Sequence, residues 1–232
     1  MGTKLPVAIV TGASRGIGNA IARSLAEQGY SLGLLARSEA DLQAASLEIQ
    51  RAHPEISVRA RACDLASEAE TIGAVEDLTG HLGPVSVLVN NAGEYVLGTS
   101  GMDSEQLRRL LEVNFVAACR LTQLVLPQMK SRENGYIINI ASICGVEAYP
   151  DVGGYCASKF ALVGYSDALD QELARYGIKV TAICPGWVAT RMSNRSPVPS
   201  ELRIQPEDIA NTVRYLLSLS KGARIRQVVV HC

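Results

Sequence analysis

Tyr155 and Lys159 stand at the head of a long segment of helical period, spelled Tyr155-Cys-Ala-Ser-Lys159. Positions i and i+4 of a helix share a face, so the phenol and the ammonium group project side by side. A neighbouring cation favours the phenolate and draws a tyrosine toward the working range of a general acid or base. The pair is common by chance and gains weight only from what accompanies it. Ser142 closes one apolar run, where its hydroxyl can polarise a carbonyl oxygen. Asn90-Asn91-Ala92-Gly93 closes another, and Asn114 lies inside the helical segment that follows.

A second constellation suits phosphate. Thr11-Gly12-Ala13-Ser14-Arg15-Gly16-Ile17-Gly18 joins a first strand to a first helix, and glycines at such a turn let backbone amides approach a phosphate at the helix N-terminus. The spacing is G-x-x-x-G-x-G, with no Gly-Lys-Ser/Thr after it, which sets aside an ATP-type loop. A purely structural strand-helix turn has the same spelling. The second strand ends Leu35-Ala36-Arg37-Ser38, with no acid at its tip to grip a ribose 2′-hydroxyl. A guanidinium there accommodates a 2′-phosphate, and Arg15 approaches from the glycine loop, so two forked donors match one dianionic group. Singly, each arginine reads as a solvated charge; jointly they point to NADP(H).

These groups need a scaffold that delivers them to one edge. Short apolar runs at 7–11, 31–36, 57–62, 85–89, 136–141, 179–183 and 227–230 alternate with helical patterns at 16–28, 39–52, 68–81, 104–131, 154–176 and 206–219. Such alternation implies parallel pairing with right-handed crossovers, an α/β doubly wound sheet of seven strands with helices on both faces. The runs read as continuously apolar, as strands covered on both faces should. No linker or repeat divides the 232 residues, so one domain over 1–232 is expected to carry both sites. The stretch from Met192 to Gln205, rich in Ser, Pro and Asn, reads as a surface loop or as a lid over a site.

Composition removes other classes. Lys plus Arg (22) balance Asp plus Glu (23) for a net charge of −1, which gives no electrostatic footprint for nucleic acid. The longest uncharged stretch, 78–93, is interrupted by His81, Gly83 and Pro84, so no membrane span is expected. Met-Gly-Thr-Lys-Leu-Pro-Val runs straight into a strand pattern, without the architecture of a leader or a myristoylation signal. Six scattered cysteines without a CxxC pair read as reduced residues of a cytoplasmic protein. Three isolated histidines supply neither a zinc site nor a Ser-His-Asp triad, so no metal is expected.

Taken in order, T-G-x-x-x-G-x-G at 11–18, N-N-A-G at 90–93, Asn114, Ser142, Y-x-x-x-K at 155–159 and P-G-x-V-x-T at 185–190 resemble the short-chain dehydrogenase/reductase family, in its compact single-domain subgroup. The resemblance covers essentially the whole chain. It implies a Rossmann fold, NAD(P)-dependent interconversion of a carbonyl and an alcohol, and a tetrad of Asn114, Ser142, Tyr155 and Lys159. In the implied roles Tyr155 exchanges the proton, Ser142 steadies the substrate oxygen, and Lys159 lowers the tyrosine pKa and holds the nicotinamide ribose. Asn114 supports a water-linked proton path to that lysine. The cofactor site so implied comprises Gly12, Ser14, Arg15, Gly16, Ile17, Gly18, Arg37, Asp64, Leu65, Asn91, Ala92, Gly93, Pro185, Gly186, Val188 and Thr190, with Tyr155 and Lys159. Asp64 matches the acid that takes the adenine amino group, and Val188 and Thr190 match positions that meet the carboxamide.

The implied partner is a small-molecule carbonyl or alcohol, in a partly apolar cavity lined by Tyr95, Ile143, Cys144, Tyr149, Trp187 and Met192. Glu94, directly after N-N-A-G, reads as a solvated rim charge or as a contact for a polar substrate. Ketoacyl-carrier-protein reductases of the family usually carry a Gly-Gly segment after the last strand. This chain ends Arg226-Gln-Val-Val-Val-His-Cys232, more like the short-tailed reductases of broad specificity, which leaves a 3-oxoacyl-carrier reductase as the alternative. A non-catalytic NADP-binding sensor is a third class; such proteins lose the Tyr, Lys or Ser that this sequence keeps. The apolar residues of the 104–131 and 154–176 helices exceed what one sheet face covers, so pairing with symmetry mates is expected. A second interface from the 206–219 helix and the last strand, implied by the resemblance, makes a homotetramer, with a homodimer as the lesser assembly.

Overall fold

The computed structural model describes residues 5–194 and 196–232. The expectations for a leader or lipid signal at residues 1–4 fall outside them, as does Arg195 within the 192–205 segment. Strands β1 (Val7–Thr11), β2 (Ser31–Ala36), β3 (Val58–Ala62), β4 (Val85–Asn90), β5 (Gly135–Ile140), β6 (Ile178–Pro185) and β7 (Gln227–Val230) form one sheet in the order β3-β2-β1-β4-β5-β6-β7. Every pairing is parallel. The order reverses between β1 and β4, and ligands of doubly wound sheets lie in the crevice outside the carboxyl ends at that reversal.

Helices cover both faces. On one lie α1 (Gly16–Glu27), α2 (Glu39–Ala52) and α7 (Pro206–Ser218), burying Ile21, Leu25, Leu42, Ile49, Val213 and Leu216. On the other lie α3 (Glu68–Leu82), α5 (Ala117–Ser131) and α6 (Gly153–Leu173), burying Leu78, Leu121, Val125, Met129, Leu169 and Leu173. The central strands β1, β2 and β5 are buried at every position, as continuous apolar runs predict. The two edges depart from that rule. β3 reads Val-Arg-Ala-Arg-Ala and is partly exposed, with Arg59 locked to both oxygens of Asp77 on α3 at 2.6 and 2.7 Å, and β7 is exposed at alternate residues. Edge strands have one neighbour, and charges there discourage pairing with another chain.

The expected single helix at 104–131 is α4 (Ser104–Leu111) and α5 joined by a π-helical turn, Glu112–Val116. Such turns concentrate at functional sites, and this one carries Asn114. The whole stretch Ser104–Ser131 contains a window long and apolar enough to cross a membrane by length and composition, which counting uncharged runs misses because Arg120 interrupts it. Its Leu121, Val125 and Met129 are wholly buried against the sheet, Leu110 is buried beside Tyr155, and Arg120 pairs with Glu112 at 2.8 Å. The apolarity is that of a helix lying on a core.

Candidate active site

Ser142, Tyr155, Lys159 and Asn114 come together at the carboxyl edge of β4 and β5, and all four are buried. Ser142 follows β5 and caps a short turn, its oxygen accepting the Cys144 amide at 3.1 Å. Tyr155 and Lys159 open α6, as their spacing predicts. A Cβ placed on Gly93 would lie 3.2 Å from Asn114 Oδ1 and 3.5 Å from Lys159 Nζ, so N-N-A-G, the asparagine and the lysine form one cluster. Asn114 acts there as a clamp. Its Oδ1 accepts the Glu94 amide at 2.7 Å, while its Nδ2 donates to the Glu94 carbonyl at 2.9 Å and to Ser158 Oγ at 3.0 Å.

The electrostatics of this cluster differ from expectation. Burial drives the Tyr155 phenol well above its ordinary value, against a hydrogen bond with Ser142 that pulls it down. Burial likewise drives Lys159 down to about 8. Burial dominates over the neighbouring lysine, whose Nζ donates to the Ile140 carbonyl at 3.0 Å and lies 5.7 Å from the centre of the phenol ring. Both groups are pushed toward their neutral forms by the same cause, loss of water. A neutral, protonated phenol hydrogen-bonded to a serine hydroxyl is a proton donor.

The glycine loop fits a dinucleotide phosphate. Gly12 and Gly16 adopt φ of +64° and +55°, and a Cβ on Gly18 would meet the Gly12 carbonyl oxygen at 2.3 Å and Asn91 Nδ2 at 2.5 Å. Side chains have no room there. Thr11 and Asn91 fasten the loop to N-N-A-G: the Asn91 and Ala92 amides both donate to Thr11 Oγ1 at 2.9 Å, and Asn91 Nδ2 donates to the Thr11 carbonyl at 2.8 Å. The α1 N-terminus has no side-chain cap and no acid in its first turn, with Ser14 and Ile17 on either side of the turn. That is a donor set suited to an anion. Thr190 packs 3.1 Å from a Cβ built on Gly16, so the Pro185-Gly186-Trp-Val188-Ala-Thr190 segment closes on the same loop.

The charged residues are arranged differently from the expectation of two arginines awaiting a phosphate. Arg37 donates to Glu94 Oε1 at 2.6 Å, and Arg15 sits 3.6 Å from Asp41. Asp64, just before Leu65, is taken end-on by Arg109, at 3.0 and 3.3 Å. Arg109 also reaches Glu94, at 3.1 Å. Burial opposes ionisation of Asp64, but the Ala66 amide and Arg109 outweigh it and hold its carboxyl below the usual range. Arg109 was not among the expected site residues; it lies in the last turn of α4, whose register against the β3 end no local pattern discloses. Glu94 is neither a solvated rim charge nor turned to the substrate side. It is the centre of an ion chain, Arg37–Glu94–Arg109–Asp64.

The substrate side is aromatic. The Tyr95 ring meets Tyr155 edge-on at 5.0 Å and Trp187 at 6.5 Å, while Leu110, Val152 and Cys156 pack behind. Cys144 adjoins Cys156, and burial pushes its thiol up to about 11. Tyr149 and Met192 stand exposed, the Tyr149 hydroxyl donating to Glu147 at 2.7 Å.

Comparison with known proteins agrees on one class. A family model described as short chain dehydrogenase matches residues 6–199. An uncharacterized oxidoreductase of Staphylococcus saprophyticus is 35% identical over 226 residues, covering 97% of this chain and 96% of the relative. An alcohol dehydrogenase of the archaeon Thermococcus sibiricus, solved with 5-hydroxy-NADP, superposes with a TM-score of 0.89 at 29% identity, over 97% of this chain and 96% of that one. A single-substitution variant of actinorhodin polyketide ketoreductase, solved with NADPH, superposes with a TM-score of 0.90 at 34% identity, over 100% and 98% of the two chains.

Proposed function

Because the chain belongs to the short-chain dehydrogenase family, we propose that it is a cytoplasmic NADPH-dependent carbonyl reductase working on a small ketone or aldehyde, with one Rossmann domain carrying both sites. The observation that carries this reading is the buried Ser142–Tyr155 hydroxyl pair, with Lys159 beside it, at the carboxyl edge of β4 and β5. Six free cysteines favour the reducing compartment.

Gly12, Ser14, Gly16, Ile17 and Gly18 would hold the pyrophosphate, and Arg15 and Arg37 the 2′-phosphate. Asp64, Leu65, Asn91, Ala92 and Gly93 would frame the adenosine. Tyr155 and Lys159 would take the nicotinamide ribose, and Pro185, Gly186, Val188 and Thr190 the carboxamide. The cofactor, when bound, supplies a hydride to the carbonyl carbon. The protein's part is electrostatic and protonic: Ser142 donates to the substrate oxygen as negative charge grows there, and Tyr155 gives that oxygen its phenolic proton. Asn114 keeps the Gly93-Glu94 backbone in register with both, through two hydrogen bonds.

Oxidation of NADPH across a panel of ketones, aldehydes and β-ketoacyl thioesters tests the proposal. Turnover of free carbonyls supports it; an absence of oxidation throughout the panel overturns it. The likeness to a polyketide ketoreductase favours one second reading, a 3-oxoacyl-carrier-protein reductase, which predicts that the thioesters far outpace free ketones. NADPH is expected to bind about tenfold more tightly than NADH, the worth of one charge-assisted contact that must compete with a carboxylate. Equal dissociation constants contradict the assignment of Arg37.

We also propose a homotetramer. Leu110, Leu121, Val125 and Leu162 of the expected surplus are wholly or almost wholly buried within the chain itself, so the helix-pair interface is narrower than the pattern implied. What remains includes the exposed Phe160, the partly buried Leu111, Leu124 and Val163, and the half-buried Phe115–Tyr165 pair, in edge contact at 5.9 Å. Tyr215 on α7 and Val229 on the β7 edge are exposed and available to a second interface. Light scattering at micromolar concentration is expected to give four times the chain mass of 24.8 kDa. A dimer mass leaves the helix-pair interface alone standing, and a monomer mass refutes assembly.

A further inference from the structure

Glu94 belongs to two parts of the site at once. Its backbone is gripped by the Asn114 carboxamide at both the amide (2.7 Å) and the carbonyl (2.9 Å), so its Cα has little freedom to shift. Its carboxylate, largely shielded from water, takes Arg37 at 2.6 Å and Arg109 at 3.1 Å. Arg109 is a fixed member of the chain: two acids hold it, and both reinforce its charge. Arg37 is the terminal member, more than half exposed, and Glu94 is its one ion-pair partner among the described residues. Two cations and two anions leave the chain neutral, so the end of β2 is less inviting to a dianion than the arginine alone implies. A phosphate arriving at Arg37 must displace Glu94 and then remain close to a carboxylate whose backbone is clamped.

Building on the reading of this pocket as an NADP(H) site, we propose that Glu94 is its specificity-determining residue: by holding Arg37 as a counter-ion, it limits the preference for 2′-phosphorylated over unphosphorylated nucleotides. Glu94→Gln keeps the size and one acceptor oxygen and removes the charge. Isothermal titration of the nucleotide-free full chain with adenosine 2′,5′-bisphosphate and with 5′-AMP isolates the 2′-phosphate. NADPH and NADH, followed by fluorescence, repeat the comparison with whole cofactors. The substitution is expected to tighten the bisphosphate and NADPH about fivefold, the scale of an exposed ion pair plus a relieved like-charge contact. The unphosphorylated ligands should change by less than about twofold on the same scale. In an Arg37→Ala background the gain should vanish, because the two charges act through one another.

Unchanged or weaker bisphosphate binding overturns the proposal. So does equal tightening of both ligand classes, or a gain that survives Arg37→Ala. Where Glu94→Gln melts well below the wild type, Glu94→Asp carries the test: it retains the charge but withdraws it by one methylene, and a smaller gain in the same direction is expected. A wild type that binds neither NADPH nor the bisphosphate brings down the cofactor reading itself. A wild type that binds both, with a Glu94→Gln variant that does not tighten, brings down this inference alone.

Discussion

Tyr155→Phe is expected to lower carbonyl turnover by about two orders of magnitude or more, the usual worth of a positioned proton donor. The variant keeps the ring, and with it the edge contact to Tyr95 at 5.0 Å and the apolar packing against Leu110, Val152 and Cys156. What it deletes is the hydroxyl that Ser142 meets. The effect should therefore fall on kcat with little change in the dissociation constant of NADPH, since most of the assigned cofactor contacts lie on the glycine loop and N-N-A-G. That split separates loss of a proton donor from loss of a folded site. Wild-type turnover in Tyr155→Phe would sink the proposed mechanism. A parallel loss of NADPH affinity would instead make the hydroxyl a binding group.

The seven-stranded parallel sheet was legible in the sequence for a physical reason: parallel strands buried on both faces spell continuous apolar runs, and crossover helices separate them. The boundaries of all seven expected strands fall within two residues of those read from the pattern. β3 is the weak case, because an edge strand guarded by Arg59 and Asp77 need not be apolar. Ser142, Tyr155 and Lys159 were legible because Ser142 follows a strand and the other two open a helix; Asn114, inside a helical segment, was reached through the family resemblance, and the structure buries all four together. The π-helical turn around Asn114 was not, since a register change in a helix leaves the apolar period almost intact. Nor were the ion pairs. Whether Arg37 faces a ligand or Glu94 depends on how the ends of β2, β3 and β4 and the last turn of α4 meet, residues 57 and 72 positions from Arg37 among them. Local patterns do not carry that information. The inversion at Tyr155 and Lys159 has the same origin: spacing predicts that they are neighbours, but only packing shows that lost hydration outweighs their mutual charge.

Lys159→Met is expected to abolish carbonyl turnover and yet stabilise the nucleotide-free protein at neutral pH. Lys159 is 3% exposed, its Nζ donates to the Ile140 carbonyl at 3.0 Å, and no carboxylate pairs with it among the described residues. Its pKa falls from 10.5 to about 8 on folding, which corresponds to about 3 kcal/mol against the folded state while the amine is charged. Methionine fills a similar volume without charge but leaves the Ile140 carbonyl without that donor, a cost of about 1 kcal/mol. The net expectation at pH 7 is about 2 kcal/mol in favour of the variant, or roughly 5 °C in Tm for a chain of this size. The advantage fades with pH. Below about pH 8 the lysine is protonated in both states and the whole cost is present; as pH rises from about 8 toward 10.5 the unfolded chain keeps the proton that the folded chain has lost, so the wild type gains stability. Cys63, Cys119 and Tyr155, whose pKa values burial raises, withdraw stability at high pH from both proteins, so the difference between wild type and variant is the quantity to follow. That difference should shrink from about pH 8 upward and approach zero near pH 10, where a neutral lysine keeps its hydrogen bond to Ile140. Urea midpoints of the two proteins at pH 7, 8, 9 and 10 test this. A variant less stable than the wild type at pH 7, or a difference that stays constant across the series, would show that burial does not disfavour the charged form of Lys159, and the electrostatic account of the Ser142–Tyr155 pair would fall with it.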